Sequence, residues 1–114
     1  MFVEHSYTHK KPHSHDHDHG EFLELKMWVG VDKNAQGDSF ENWSYDDRLP
    51  ANFLTRIKKG VSSALLNHKF PSLKVVLIEY RWLEVDSPEW LFEAVAKACV
   101  QEALQELATK LPQN

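Results

Sequence analysis

Apolar and polar residues alternate without a break from Phe22 to Val31. Leu23, Leu25, Met27, Val29 and Val31 fall on one side, and Glu24, Lys26 and Trp28 mostly on the other. A period of two marks a strand with one buried face. Phe2 to Lys11 has few helix signals and reads as a half-exposed edge strand, with Val3 and Tyr7 on one side and Pro12 as its stop. Asp32 to Asp38 is a turn rich in Asn, Gly and Asp, and Ser39 to Tyr45 is a short third strand carrying Phe40, Trp43 and Tyr45.

The period then changes. From Arg48-Leu49-Pro50 to about Leu66, the residues Phe53, Leu54, Ile57, Val61, Ala64 and Leu65 recur three and four apart, which places one apolar stripe on a helix. Asn67 to Ser72 is a loop containing Pro71. Leu73 to Tyr80 is apolar on both faces, as in a strand covered on both sides or central in its sheet. Arg81 to Glu84 is a turn or a continuation of that strand. A last helix runs from about Ser87 to Lys110, with Leu91, Phe92, Val95, Ala96, Cys99, Ala103 and Leu107 as its buried stripe. Asp86 is the expected N-cap of that helix, Pro88 suits its first turn, and Glu89 completes a capping-box-like pair. The order is β-β-β-α-β-α. The expected fold is an α+β two-layer sandwich, a four-stranded sheet with two helices on one face.

A chain of 114 residues forms one domain, residues 1–114, large enough to bury a core without staples. Cys99 is the sole cysteine, so no intramolecular disulfide forms, and it reads as a small buried hydrophobe. The formal net charge of -4 disfavours a general nucleic-acid binder with a broad basic surface, so DNA is not an expected partner, while a local basic patch is still allowed. No basic-then-apolar signal pattern and no membrane-length apolar run occur, so the expectation is a cytoplasmic protein without a membrane partner. The four glycines, Gly20, Gly30, Gly37 and Gly60, lack phosphate-loop spacing, so nucleotide is not an expected ligand. No Ser-His-Asp or Cys-His arrangement emerges, and the expectation is a protein that is not an enzyme.

Four strings lie in one order along the chain: Gly37, Ser39, Phe40 and Glu41; Leu49-Pro50-Ala51-Asn52-Phe53 with Lys59-Gly60-Val61 and Ala64-Leu65; Phe70-Pro71; and Val85-Asp86-Ser87 leading into the acidic, Ala-rich helix to Leu104. Together they resemble domain IV of elongation factor G, a ribosomal-protein-S5-like fold with the same order of elements. The resemblance covers about four-fifths of the chain. It implies a domain whose tip, made of two loops, meets ribosomal RNA. The first loop is glycine-rich in that family, and here it is Pro12 to Gly20. The second usually carries a histidine, and here it is Glu79 to Glu84 with Leu83 in that place. Both loops are rewritten. Lys10 and Lys11 beside Arg81 and Trp82 form a small basic and aromatic patch if the loops are neighbours, as the resemblance implies. That patch is the expected contact with the ribosome, another RNA or a protein partner.

The rewritten first loop suggests a different chemistry. His13, His15, His17 and His19 alternate with Ser14, Asp16 and Asp18. In an extended segment, residues two apart share a side, so the tract presents paired imidazoles suited to Zn, Ni or Cu. The alternative reading is therefore a small metal-binding or metal-buffering protein using a His-rich loop at 12–20. Its core lies elsewhere, so no cofactor is required for folding. Oligomeric state is left open by the sequence.

Overall fold

The computed structural model describes residues 1–12, 20–44, 49–83 and 86–110, and the histidine tract 13–19 lies outside them. Six elements follow in order: β1 (Phe2–Lys11), β2 (Glu21–Val31), β3 (Ser39–Asn42), α1 (Ala51–Ala64), β4 (Leu73–Trp82) and α2 (Glu89–Lys110). The strands form one sheet in the order β1-β2-β4-β3, so β4 is central, as its two apolar faces require. β1 pairs antiparallel with β2, and β2 antiparallel with β4. The short edge strand β3 runs parallel to β4, with α1 as the crossover, and makes the sheet mixed.

Both helices cover one face. Leu23, Leu25, Met27 and Val29 of β2 and Leu73, Val75 and Leu77 of β4 are completely buried in one cluster with Ile57 and Val61 of α1 and with Leu91, Phe92, Val95, Ala96, Cys99, Val100, Ala103 and Leu107 of α2. The alternation of β2 thus becomes the floor of the core, and the two helical stripes become its roof. α2 runs against β1 and β2, and α1 packs along α2. Gly60 is the reason the helices approach so closely. A Cβ there would stand 2.3 Å from the Glu93 carbonyl oxygen and 2.9 Å from the Ala96 side chain.

The register carries one irregularity. Met27 faces Leu77, but its neighbour Lys26 faces Glu79, so Ile78 is an extra residue in β4. A bulge of this kind switches which side the following residues face. Before it, Leu73, Val75 and Leu77 point to the helices; after it, Tyr80 and Trp82 do, both packed against the core.

The start of α2 differs from the sequence expectation. The helix begins at Glu89, so Pro88 rather than Asp86 is the residue that precedes it. The Asp86 carbonyl accepts from Phe22 N–H at 2.7 Å, and its own N–H donates to the Leu83 carbonyl at 3.0 Å. The buried Ser87 hydroxyl donates to the Phe22 carbonyl and accepts from Leu83 N–H. These two residues stitch the β4–α2 connection to the start of β2, a task that only the folded neighbour defines. Glu89 turns to α1, where Arg56 Nε donates to its Oε1 at 3.0 Å. At the opposite end of the sheet, His68 Nε2 meets Asp38 Oδ2 at 2.8 Å while its Nδ1 accepts from Phe70 N–H. Asp38 also accepts from Leu73 N–H, so the turn before β3 is clipped to the loop before β4. Gly37 in that turn has φ 141°, a conformation side chains rarely adopt.

Candidate functional site at the strand ends

β1 ends where β2 begins, with Lys11 opposite Glu21, and β4 ends beside β2, with Trp82 opposite Leu23. The sheet therefore gathers Lys10, Lys11, Arg81 and Trp82 at one end. It does not gather them on one face. Lys10 and Arg81 lie on the helix-free face, whereas strand alternation and the Ile78 bulge place Lys11 and Trp82 on the helix side.

Trp82 is already occupied. Its ring meets Phe53 at 5.4 Å and Phe92 at 6.1 Å, both edge-on, and Phe53 stacks on Phe92 at 4.5 Å. The three rings close the core at this end, and Trp82 is partly buried among them. Arg81 has its side chain 73% exposed, with Nη1 3.7 Å from Glu24 Oε1. The other Glu24 oxygen accepts from the Thr8 hydroxyl at 2.7 Å, so Glu24 links β1 to β4 across β2. Lys10 and Lys11 are exposed. Leu83, which follows β4, is 51% exposed.

The helix-free face carries features that alternation alone did not single out. Phe2 stacks on Trp28 at 5.2 Å, and Lys74 Nζ sits 5.1 Å over the Trp43 ring, whose Nε1 donates to Glu41. Between these aromatics Val76 is fully buried, although no helix covers it. The cations of this face are matched by anions: Lys26 with Glu4, Lys74 with Glu41, and Arg81 with Glu24. Glu79 lies on the same face opposite Lys26, and Lys10 lies at its β1 end.

The remaining candidates for chemistry are held in structural contacts. His5 faces α2, with Nε2 3.1 Å from Glu102 and Nδ1 3.4 Å from Glu106, and His9 Nε2 is 2.9 Å from Glu21. Cys99 lies under β1 and β2 with its sulfur 3.4 Å from the His5 carbonyl. Burial pushes its thiol up to about 12, with the Glu102 charge adding to the effect. Such a thiol is inert at neutral pH. Among the described residues no group of three His, Cys, Asp or Glu side chains is placed to hold a metal ion. The four tract residues His13, His15, His17 and His19 lie outside those residues. No helix among the described residues is long and apolar enough to cross a membrane.

The architecture is that of a two-layer α+β sandwich domain with one helix-covered and one open sheet face. No protein-family model matches the chain. Elongation factor G of Ruegeria sp. (strain TM1040) is 32% identical over 114 residues, which span 96% of this chain and 16% of that protein. Elongation factor G of Paracoccus denitrificans (strain Pd 1222) is 30% identical over 110 residues, 92% of this chain and 15% of that protein. A protein of Thermus thermophilus known from its crystal structure shares the fold, with a TM-score of 0.72 and 20% identity over 92% of this chain and 16% of that one. The chain is similar to one segment of elongation factor G and resembles domain IV of that factor, and it spans about one-sixth of the length of the curated relatives it matches.

Proposed function

We propose that this domain is a non-catalytic binding module of the translation machinery in the cytoplasm, engaging the ribosome through the strand end that carries Lys10, Lys11 and Arg81. The observation that carries the reading is the relation to elongation factor G along nearly the whole chain, together with the exposed Lys10, Lys11 and Arg81 at one end of the sheet. Lys10 and Arg81 project from the same face, where they can meet phosphate oxygens without rearrangement of the core. Trp82 acts as a positioning residue, since it holds the end of β4 against Phe53 and Phe92. By itself the chain has no glycine-rich phosphate cradle, so GTP hydrolysis is not among its activities.

Sedimentation with ribosomes tests the reading. The protein should pellet with them at low salt and lose binding as salt rises, because the contact is mainly with phosphate. Replacing Lys10, Lys11 and Arg81 together with Ala should weaken binding about tenfold or more while the melt stays unchanged. No co-sedimentation at low salt, or binding indifferent to the triple replacement, would sink the proposal.

A further inference from the structure

We infer that β1 is a self-pairing edge, along which two copies of this chain join their sheets antiparallel about a two-fold axis at Tyr7. β1 is a ten-residue strand at the edge of the sheet, with neither a proline nor a bulge within it. Proline and bulges are two of the devices that blunt such an edge, and the lysines, a third, lie only at its end as Lys10 and Lys11. The bond from Val31 N–H to the Met1 carbonyl sets the phase of the β1–β2 ladder. Odd-numbered residues of β1 exchange bonds with β2, so the N–H and C=O groups of Phe2, Glu4, Ser6, Thr8 and Lys10 point away from the sheet. No turn, loop or cap bond among the described residues uses them.

Only registers that set even residues opposite even residues can bond these groups. One of them also matches the side chains. With Tyr7 opposite Tyr7 of the second copy, Glu4 faces Lys10, Ser6 faces Thr8, and each pairing occurs twice by symmetry. Opposite charges and hydroxyl pairs directly across a ladder are favourable. The neighbouring register, centred on Ser6, sets Lys10 against Phe2 and Glu4 against Thr8 and gains neither charge pair. The strand is thus complementary in charge to its own antiparallel copy, which favours a second copy of this chain over an unrelated strand. A single strand pair is a small interface, so the dimer is weak and depends on concentration.

Sedimentation equilibrium over about a hundredfold range of concentration provides the first readout. The average mass should rise from 13.3 kDa toward twice that value. Ser6→Pro should stay at the monomer mass with a nearly unchanged melt, because the N–H it removes faces the open edge. Register is read by oxidative cross-linking, since the native Cys99 is buried and does not compete. Glu4→Cys with Lys10→Cys should give a disulfide-linked dimer, whereas Ser6→Cys alone should give little. A monomer mass at every concentration overturns the proposal, and so does a Ser6→Pro protein that associates like the parent. If Ser6→Pro does not fold, the cysteine variants decide. Cross-linking through Ser6→Cys in preference to the double variant would refute the register.

Discussion

Gly60→Ala should destabilise the domain, although the general rule for helices points the other way. An alanine inside a helix is favoured over glycine by about 1 kcal/mol. At Gly60 the added Cβ would stand 2.3 Å from the Glu93 carbonyl oxygen, 2.9 Å from the Ala96 Cβ and 3.0 Å from the Lys97 nitrogen. Two of these are backbone atoms of α2, and no rotamer change removes them. Reaching an ordinary contact requires α1 and α2 to part locally by about 1 Å, a large displacement for an interior packed at crystal-like density. Overpacking of this kind costs about 1–3 kcal/mol, and the upper end applies when backbone must move. Parting the helices also loosens Ile57, Val61, Val95 and Ala96, all buried. Subtracting the propensity gain leaves a net loss of about 2 kcal/mol, which in a domain of this size lowers the melting temperature by roughly 8 °C. Thermal and urea unfolding followed by circular dichroism measure it. Ser62→Ala, on the exposed side of the same helix, is the control and should change stability by no more than about 0.5 kcal/mol. A Gly60→Ala protein that melts at or above the parent temperature would refute the close helix crossing.

Other outcomes follow from the same geometry. Gly30→Ala should cost less than Gly60→Ala, because the obstacle is the Trp28 ring at 2.3 Å, a side chain that can swing aside at the expense of its stacking with Phe2; the same melts compare the two. Trp82→Ala should cost about 2–4 kcal/mol and Arg81→Ala less than about 0.5, since only the former opens the Phe53–Phe92 cluster; equal effects in denaturant titration would contradict the placement of Trp82. The hydrogen bond from Arg56, and then that from Asn52, hold Glu89 below its ordinary value of 4.5. Its contribution is therefore present above that value and is lost as pH falls through the lower folded one. Parent and Glu89→Gln should differ at neutral pH and converge in acid, and a gap that widens in acid would reverse the sign. Cys99 should resist a thiol reagent in the native protein and react on unfolding, as burial and its raised thiol demand; rapid native labelling at neutral pH would show that α2 does not cover it.

Periodicity along the chain marked β2 and both helices with their buried faces, and turn residues and apolar composition marked the other strands, so the six elements and their order were legible. Period two in β2 and period three-to-four in both helices are local properties, and the residues that carry them are those found in the core. The string from Gly37 to Leu104 likewise pointed to the elongation factor G relation without any coordinates. Other features depended on residues far apart in sequence. The bulge at Ile78 leaves no mark in composition, yet it sends Trp82 into the core and Arg81 to the open face. His68 looks like an ordinary loop histidine until Asp38, thirty residues earlier, is set against it. Asp86 fits the local rules for capping a helix, but the helix begins at Glu89, and the Asp86 carbonyl and the Ser87 hydroxyl both bond to Phe22 at the start of β2. Buried backbone groups must find partners wherever the fold supplies them, and only the tertiary structure decides which partners are near. That is why the tip residues share one end of the sheet but divide between its two faces.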